Sequence, residues 1–365
     1  MRILQRFVPG LVVSAMAVLL STPGPATAAD EATAGNGATY YISLGDSLAS
    51  GYQPDVDKDT RLAYTDRLYA QLKQRDPGLK HIRLGCTGET TESLIKGGTC
   101  RYPGATSQLD AALKAMARHH GKVAYVTLSV GANDIQACVT PAGTLDGTCL
   151  SNASRTMGRN LARITGALHQ AGTTNTQFSG STYYNPFLAT WLLGDAGQKA
   201  AKESAPLIKE GDKAIAQVYG ATGFKVADVA GAFSSDDFGT LVDMPGVGKV
   251  PANVAKICQL TWACTPKKDP HPNADGHKVI ASAFAATLSM KSAAPGRNAN
   301  PGADASPSPV PASDTGANRP TANGDLAETG ASSSTPLIAG AGLAVVVAGT
   351  AAVYFGRRRR TAGQS

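Results

Sequence analysis

A chain of 365 residues has room for one large domain or two small ones, with enough length to bury a substantial core. The formal charge of +7 is concentrated at the ends: Arg2 and Arg6 open the chain, and Arg357, Arg358, Arg359 and Arg360 lie near its close. Setting those six aside leaves about +1 for everything between, so charge makes no case for nucleic acid or anionic membrane as partner.

In chain order, Arg2 and Arg6 precede the apolar run 8–20, which is too short to span the roughly 30 Å hydrocarbon core of a bilayer comfortably. Ser21-Thr22-Pro23-Gly24-Pro25 breaks any helix, and the small residues Ala26-Thr27-Ala28-Ala29 offer an Ala-x-Ala cleavage site. Residues 1–29 therefore read as an export signal, the alternative being a short membrane anchor. Residues 38–292 form the one expected domain. Within it, 40–44 reads as a buried strand, 66–75 as a helix, 81–84 as a second strand and 108–119 as a helix. The clearest strand is 123–130. Amphipathic helices are expected at 154–171 and 205–219, a further strand at 224–229 and a closing helix at 278–290. The segment 178–193 carries Tyr183, Tyr184, Phe187, Trp191, Leu192 and Leu193; it starts as strand and turns at Asn185-Pro186. It suits either an acyl pocket or ordinary core. Strands alternating with helices predict an α/β fold with a parallel sheet covered on both faces. In such sheets ligands bind at the carboxyl ends of the strands.

Six cysteines, at 86, 100, 138, 149, 258 and 264, fall into three close pairs. Of the fifteen possible connectivities, the local one (Cys86–Cys100, Cys138–Cys149, Cys258–Cys264) is favoured because each pair brackets a turn-rich segment. Zinc is the rival use, but no Cys-x-x-Cys spacing occurs and export favours disulfides. No metal or cofactor is expected, and the chain is expected to be monomeric.

Residues 293–325 are rich in Pro, Ala, Ser, Gly and Asn and nearly lack large apolar side chains, so they read as a disordered spacer. At ~3 Å per residue such a spacer reaches on the order of 100 Å. Within 326–365, Leu326-Ala327-Glu328-Thr329-Gly330 precedes a charge-free stretch at 336–355 and then the four arginines. A stretch of that length can halt in a bilayer, with the arginines on the cytoplasmic side. The arrangement resembles the sortase signal of Gram-positive bacteria, in the form with Ala at the second position that class E sortases read. The resemblance implies cleavage between Thr329 and Gly330 and attachment of Thr329 to peptidoglycan. The alternative is a plain single-span tail anchor.

The residues suited to chemistry fall where the strands end. Gly45-Asp46-Ser47-Leu48 follows the first strand, and Gly85-Cys86-Thr87-Gly88-Glu89-Thr90-Thr91 follows the second. Gly131-Ala132-Asn133-Asp134 follows the third, and Asp269-Pro270-His271-Pro272-Asn273 precedes the last helix. Together they supply a nucleophile, a backbone amide on glycine, a side-chain amide and an imidazole base, the parts that acyl transfer needs. Ser47 would attack a carbonyl and His271 would carry its proton. The N–H groups of Ser47 and Gly88 and the side chain of Asn133 would receive the oxyanion.

These four segments resemble blocks I, II, III and V of the SGNH (GDSL) hydrolases, in the family's order over residues 40–285. Ser47, Gly88, Asn133 and His271 match the four residues that name the family. The resemblance implies a flavodoxin-like three-layer α/β/α sandwich and esterase or lipase activity. One position departs from it. The family usually places an Asp three residues before the catalytic His, where this chain has Lys268, and Asp269 lies only two before. Either Asp269 orients His271, or a main-chain carbonyl from 262–270 does, as in a secreted branch of the family that uses a Ser–His dyad. Asp269 could equally be a turn residue ahead of Pro270. His277 reads as a structural residue at a helix start. The expected protein is thus a wall-displayed serine esterase acting on a lipid, an acylated polysaccharide or a small ester. The alternatives are a polysaccharide O-deacetylase and a binding protein on a silent scaffold.

Overall fold

The computed structural model describes residues 38–138 and 146–289. The expected export signal, the spacer and the sorting signal with its apolar stretch all lie outside the described residues. Five strands build the central sheet: β1 (Tyr40–Gly45), β2 (Lys80–Arg83), β3 (Val123–Ser129), β4 (Gln177–Ser181) and β5 (Lys225–Ala227). All neighbours are parallel, in the order β2-β1-β3-β4-β5. That is the flavodoxin-like order, which reverses direction of growth between β1 and β3, and in such sheets ligands bind at the carboxyl ends of the strands there.

The strands alternate their side chains between two apolar layers, as a sheet covered on both faces must. Tyr41 and Tyr125 point to one layer, while Ile42, Leu44, Val126 and Leu128 point to the other. Helices α1 (Tyr64–Arg75), α5 (Ala252–Leu260) and α6 (Ala274–Thr287) bring Leu68, Leu72, Ile257, Ile280 and Phe284 to the first layer. Helices α2 (Gln108–Arg118), α3 (Gly147–Ala171) and α4 (Asp195–Ala221) bring Leu109, Met116, Leu161, Ile164, Leu168 and Ile215 to the second. Burying one such side chain contributes roughly 1.5–3 kcal/mol. The result is a three-layer α/β/α sandwich.

Helix starts follow local chemistry. Ser107 caps α2 by accepting from the Asp110 N–H, and Asn273 caps α6 by accepting from the Asp275 and Gly276 N–H groups. Each such cap is worth about 1 kcal/mol. Helix α3 starts at Gly147, ahead of the expected 154. Its first turn lacks apolar periodicity, but Asp146 caps it and a disulfide at Cys149 ties it down. Helix α4 starts at Asp195 and continues through Pro206, ten residues before its expected start. Helix α5, the short helices Thr91–Lys96 and Ala132–Gln136, and two small antiparallel ribbons were not expected from the sequence. Among the described residues no helix is long and apolar enough to cross a membrane.

Candidate active site

The segment that carries Ser47 sits at the switch point. Gly45 ends β1 with φ 137°, and a Cβ there would lie 2.1 Å from the carbonyl oxygen of Ser129 on β3. Only glycine permits that approach. Asp46 then caps a single helical turn, Ser47–Ser50, through its Oδ1 and the Leu48 N–H at 3.0 Å. Ser47 thereby becomes the first residue of that turn, 7% exposed.

Its partner arrives from far along the chain. His271 Nε2 lies 2.8 Å from Ser47 Oγ, and His271 Nδ1 lies 2.6 Å from Asp269 Oδ1. A carboxylate at Nδ1 can only accept, so the network assigns the proton to Nδ1 and leaves the Nε2 lone pair facing the serine hydroxyl. The same Asp269 oxygen accepts the His271 backbone N–H at 2.8 Å. This is an Asx turn, in which a carboxylate reaches the amide two residues on. The turn and the contact to the imidazole are therefore one arrangement, and the sequence had offered them as alternatives. Lys268, at the position where an Asp is usual, adopts left-handed φ 47°. Two carbonyls of the 262–270 segment accept from other donors. The Trp262 oxygen accepts from Thr265 Oγ1 at 2.7 Å, and the Pro270 oxygen accepts from the Tyr184 hydroxyl at 2.7 Å.

Gly88 lies in the turn after β2 with φ 84°, so the backbone conformation itself demands glycine. Among the described residues, no protein acceptor takes the N–H of Ser47 or of Gly88. Asn133, on the short helix after β3, donates through Nδ2 to the Glu89 carbonyl at 2.8 Å, which ties its loop to the loop of Gly88. Asp134 strengthens that tie by accepting from the Thr91 N–H (2.8 Å) and hydroxyl (2.5 Å).

The sequence profile of the GDSL-like lipase/acylhydrolase family matches residues 43–279. The chain belongs to this family. It is a hydrolase by that membership. Solved structures similar to it include a GDSL-like lipase from Parabacteroides merdae, described as putative (15% identity, TM-score 0.45, covering 70% of this chain and 97% of that one). Others are an acetyl xylan esterase from Geobacillus stearothermophilus (14%, TM-score 0.39, 71% and 99%) and an α/β hydrolase from the Lake Arreo metagenome (18%, TM-score 0.38, 69% and 95%). No curated protein matches the chain.

Beneath Ser47 this GDSL-family member keeps a polar interior. The buried Asp46 accepts from the Tyr183 hydroxyl through Oδ2 at 3.2 Å, and burial pushes its carboxyl up to about 7 against those hydrogen bonds. Gln108, fully buried, clamps the Gly45 peptide: Oε1 accepts its N–H at 2.6 Å, and Nε2 donates to its carbonyl at 3.0 Å. Gln108 Nε2 also lies 3.1 Å from Glu89 Oε2, so one amide reaches the segments of both Ser47 and Gly88. Sequence reasoning missed Gln108 and Glu89. Only the position of Glu89, next to Gly88, could have signalled it.

Three disulfides, Cys86–Cys100, Cys138–Cys149 and Cys258–Cys264, brace the loops around the site. The first encloses Gly88, the second begins five residues after Asn133, and the third ends seven before His271. His277 is fully buried, and its Nδ1 accepts the Tyr64 N–H at 3.2 Å. It thus caps α1, whose own preceding residue, Ala63, has no side-chain oxygen. In the aromatic segment, Tyr184 is core, stacked on Phe233 at 4.5 Å, whereas Leu193 is 65% exposed.

Proposed function

We propose that this family member is a carboxylic-ester hydrolase working through a covalent acyl-enzyme on Ser47. The observation that carries the reading is the continuous relay Asp269–His271–Ser47, with a 2.6 Å link from Asp269 to His271 and a 2.8 Å link from His271 to Ser47, 224 positions away in the chain. Ser47 Oγ attacks the ester carbonyl carbon as His271 Nε2 takes its proton. The carbonyl oxygen becomes an oxyanion, received by the N–H groups of Ser47 and Gly88 and by Asn133 Nδ2. Collapse breaks the bond to the alcohol, which leaves with the proton from His271. Water then repeats the sequence on the acyl-enzyme, releasing the acid and restoring the serine. Asp269 holds the ring and balances the imidazolium charge. The Asp269 carboxylate 2.6 Å from His271 Nδ1 favours this triad over a carbonyl-assisted dyad. The intact relay likewise speaks against a silent binding scaffold.

The same proposal includes export and attachment to the cell wall through Thr329, the protein meeting sortase and peptidoglycan there. Three disulfides support an oxidising compartment, and the order of pentapeptide, apolar stretch and arginines supports the anchor. The catalytic half is tested by hydrolysis of a series of acyl esters of increasing chain length. Ser47→Ala and His271→Ala should each lose several orders of magnitude in kcat/KM while the circular dichroism spectrum is kept. Undiminished turnover by folded Ser47→Ala refutes it.

A further inference from the structure

We infer that Gln53 is a positioning residue for His271, an inference that rests on the catalytic reading above. Gln53 lies six residues beyond Ser47, on a short ribbon strand, Tyr52–Gln53, paired with Lys58–Asp59. It is 2% exposed. Its side-chain amide reaches across the fold to the loop of the base. Nε2 donates to the Pro272 carbonyl at 2.9 Å, and Oε1 accepts from the Trp262 indole N–H at 3.2 Å. The remaining Nε2 hydrogen goes to the Tyr52 carbonyl at 2.8 Å, so the amide is satisfied throughout.

Those two distant partners frame His271. Pro272 follows it directly and pairs with Thr261 in an isolated antiparallel bridge. Trp262 donates its own backbone N–H to the His271 carbonyl at 3.0 Å. Gln53 therefore grips both sides of the bridge that carries the imidazole. Its neighbour Tyr52 sets a ring edge-on to that imidazole, with centroids 4.9 Å apart. The chain leaving the nucleophile is in this way fastened to the chain bearing the base. A buried apolar side chain would fill the same space without desolvating an amide. The amide is what fixes direction: it sets where the His271 backbone sits relative to Ser47. Displacement of a catalytic group by about 1 Å costs on the order of 100-fold in rate.

The test uses the purified protein and active sites titrated with a small organophosphonate. Gln53→Met, close in volume but without the amide, should lower kcat per titrated site ~10- to 100-fold and leave KM within about twofold. Trp262→Phe, which removes the indole N–H and keeps an aromatic ring, should lower it in the same direction by less. The double variant should be no worse than Gln53→Met, because both act through one tie. A merely structural role would reduce the number of titrated sites and leave turnover per site unchanged. Turnover per site within about twofold of the parent in Gln53→Met overturns the inference; should that variant fail to fold, the same result in Trp262→Phe does so. Ser47→Ala is assayed alongside. Loss of turnover there with full turnover in Gln53→Met removes the tie alone, whereas turnover kept in Ser47→Ala removes the catalytic reading itself.

Discussion

At the residue scale, Asp269 does two things with one oxygen, and a single substitution separates them. Asp269→Asn can still accept the His271 backbone N–H and keep the Asx turn, but it carries no charge to set against an imidazolium. The expected loss is up to about 10⁴-fold in kcat, the size seen for the same change in serine-protease triads. A loss under about tenfold in a steady-state assay would place the orienting role elsewhere. Asn133→Ala, removing one donor of the proposed oxyanion hole, should cost on the order of 100- to 1000-fold in kcat. His277 supplies a pH prediction of a different kind. Burial pushes its imidazole down to about 3, so the native state holds it neutral. Below about 6.5 the unfolded chain binds a proton that the folded chain does not, and stability falls as pH drops toward 3. Replacing His277 by Gln removes that linkage. In urea titrations the variant's deficit against the parent should therefore be larger at pH 7 than at pH 4.5, and an equal deficit at both would count against a neutral buried His277.

At the scale of elements, each disulfide closes a short loop beside a residue of the site, and each should contribute roughly 2–3 kcal/mol. Cys86→Ser with Cys100→Ser should lower the urea midpoint accordingly, and activity should fall as well because the bridged loop carries Gly88. Stability lost with activity kept would mean that the bridge does not hold the segment proposed to receive the oxyanion. Which elements were legible follows from the same physics. The strand at 123–129 and the helix at 108–118 repeat their pattern long enough for periodicity to mark them. The turns Thr91–Lys96 and Ala132–Gln136 are too short to show a period. The long helix Asp195–Ala221 carries an interior proline at 206, a residue that on propensity alone belongs in a first turn. The candidate site was legible where chemistry is concentrated in one residue, as at Ser47 and His271, which the fold brings to 2.8 Å. It was not legible at Gln53 and Gln108. Their roles lie in contacts to groups 19 to 219 positions away, which no local pattern announces.

At the scale of the whole molecule, the proposed anchor separates two mature forms. If the chain is cut between Thr329 and Gly330, wall-digesting enzymes should release it with peptidoglycan fragments on Thr329, and detergent should not. If the 336–355 stretch is retained instead, detergent alone should extract the intact chain. Mass spectrometry of the C-terminal peptide distinguishes them, and recovery of residues beyond Gly330 on the bulk of surface protein would contradict wall attachment. The central claim, that Ser47 is a nucleophile activated by His271, is tested most directly by covalent capture. The protein is treated with a fluorophosphonate and digested, and the modified peptide is sequenced by mass spectrometry. The account predicts one adduct, on Ser47, formed far more slowly in His271→Ala and absent in Ser47→Ala. An unmodified Ser47 in the folded parent protein, or labelling at the same rate without His271, would contradict it.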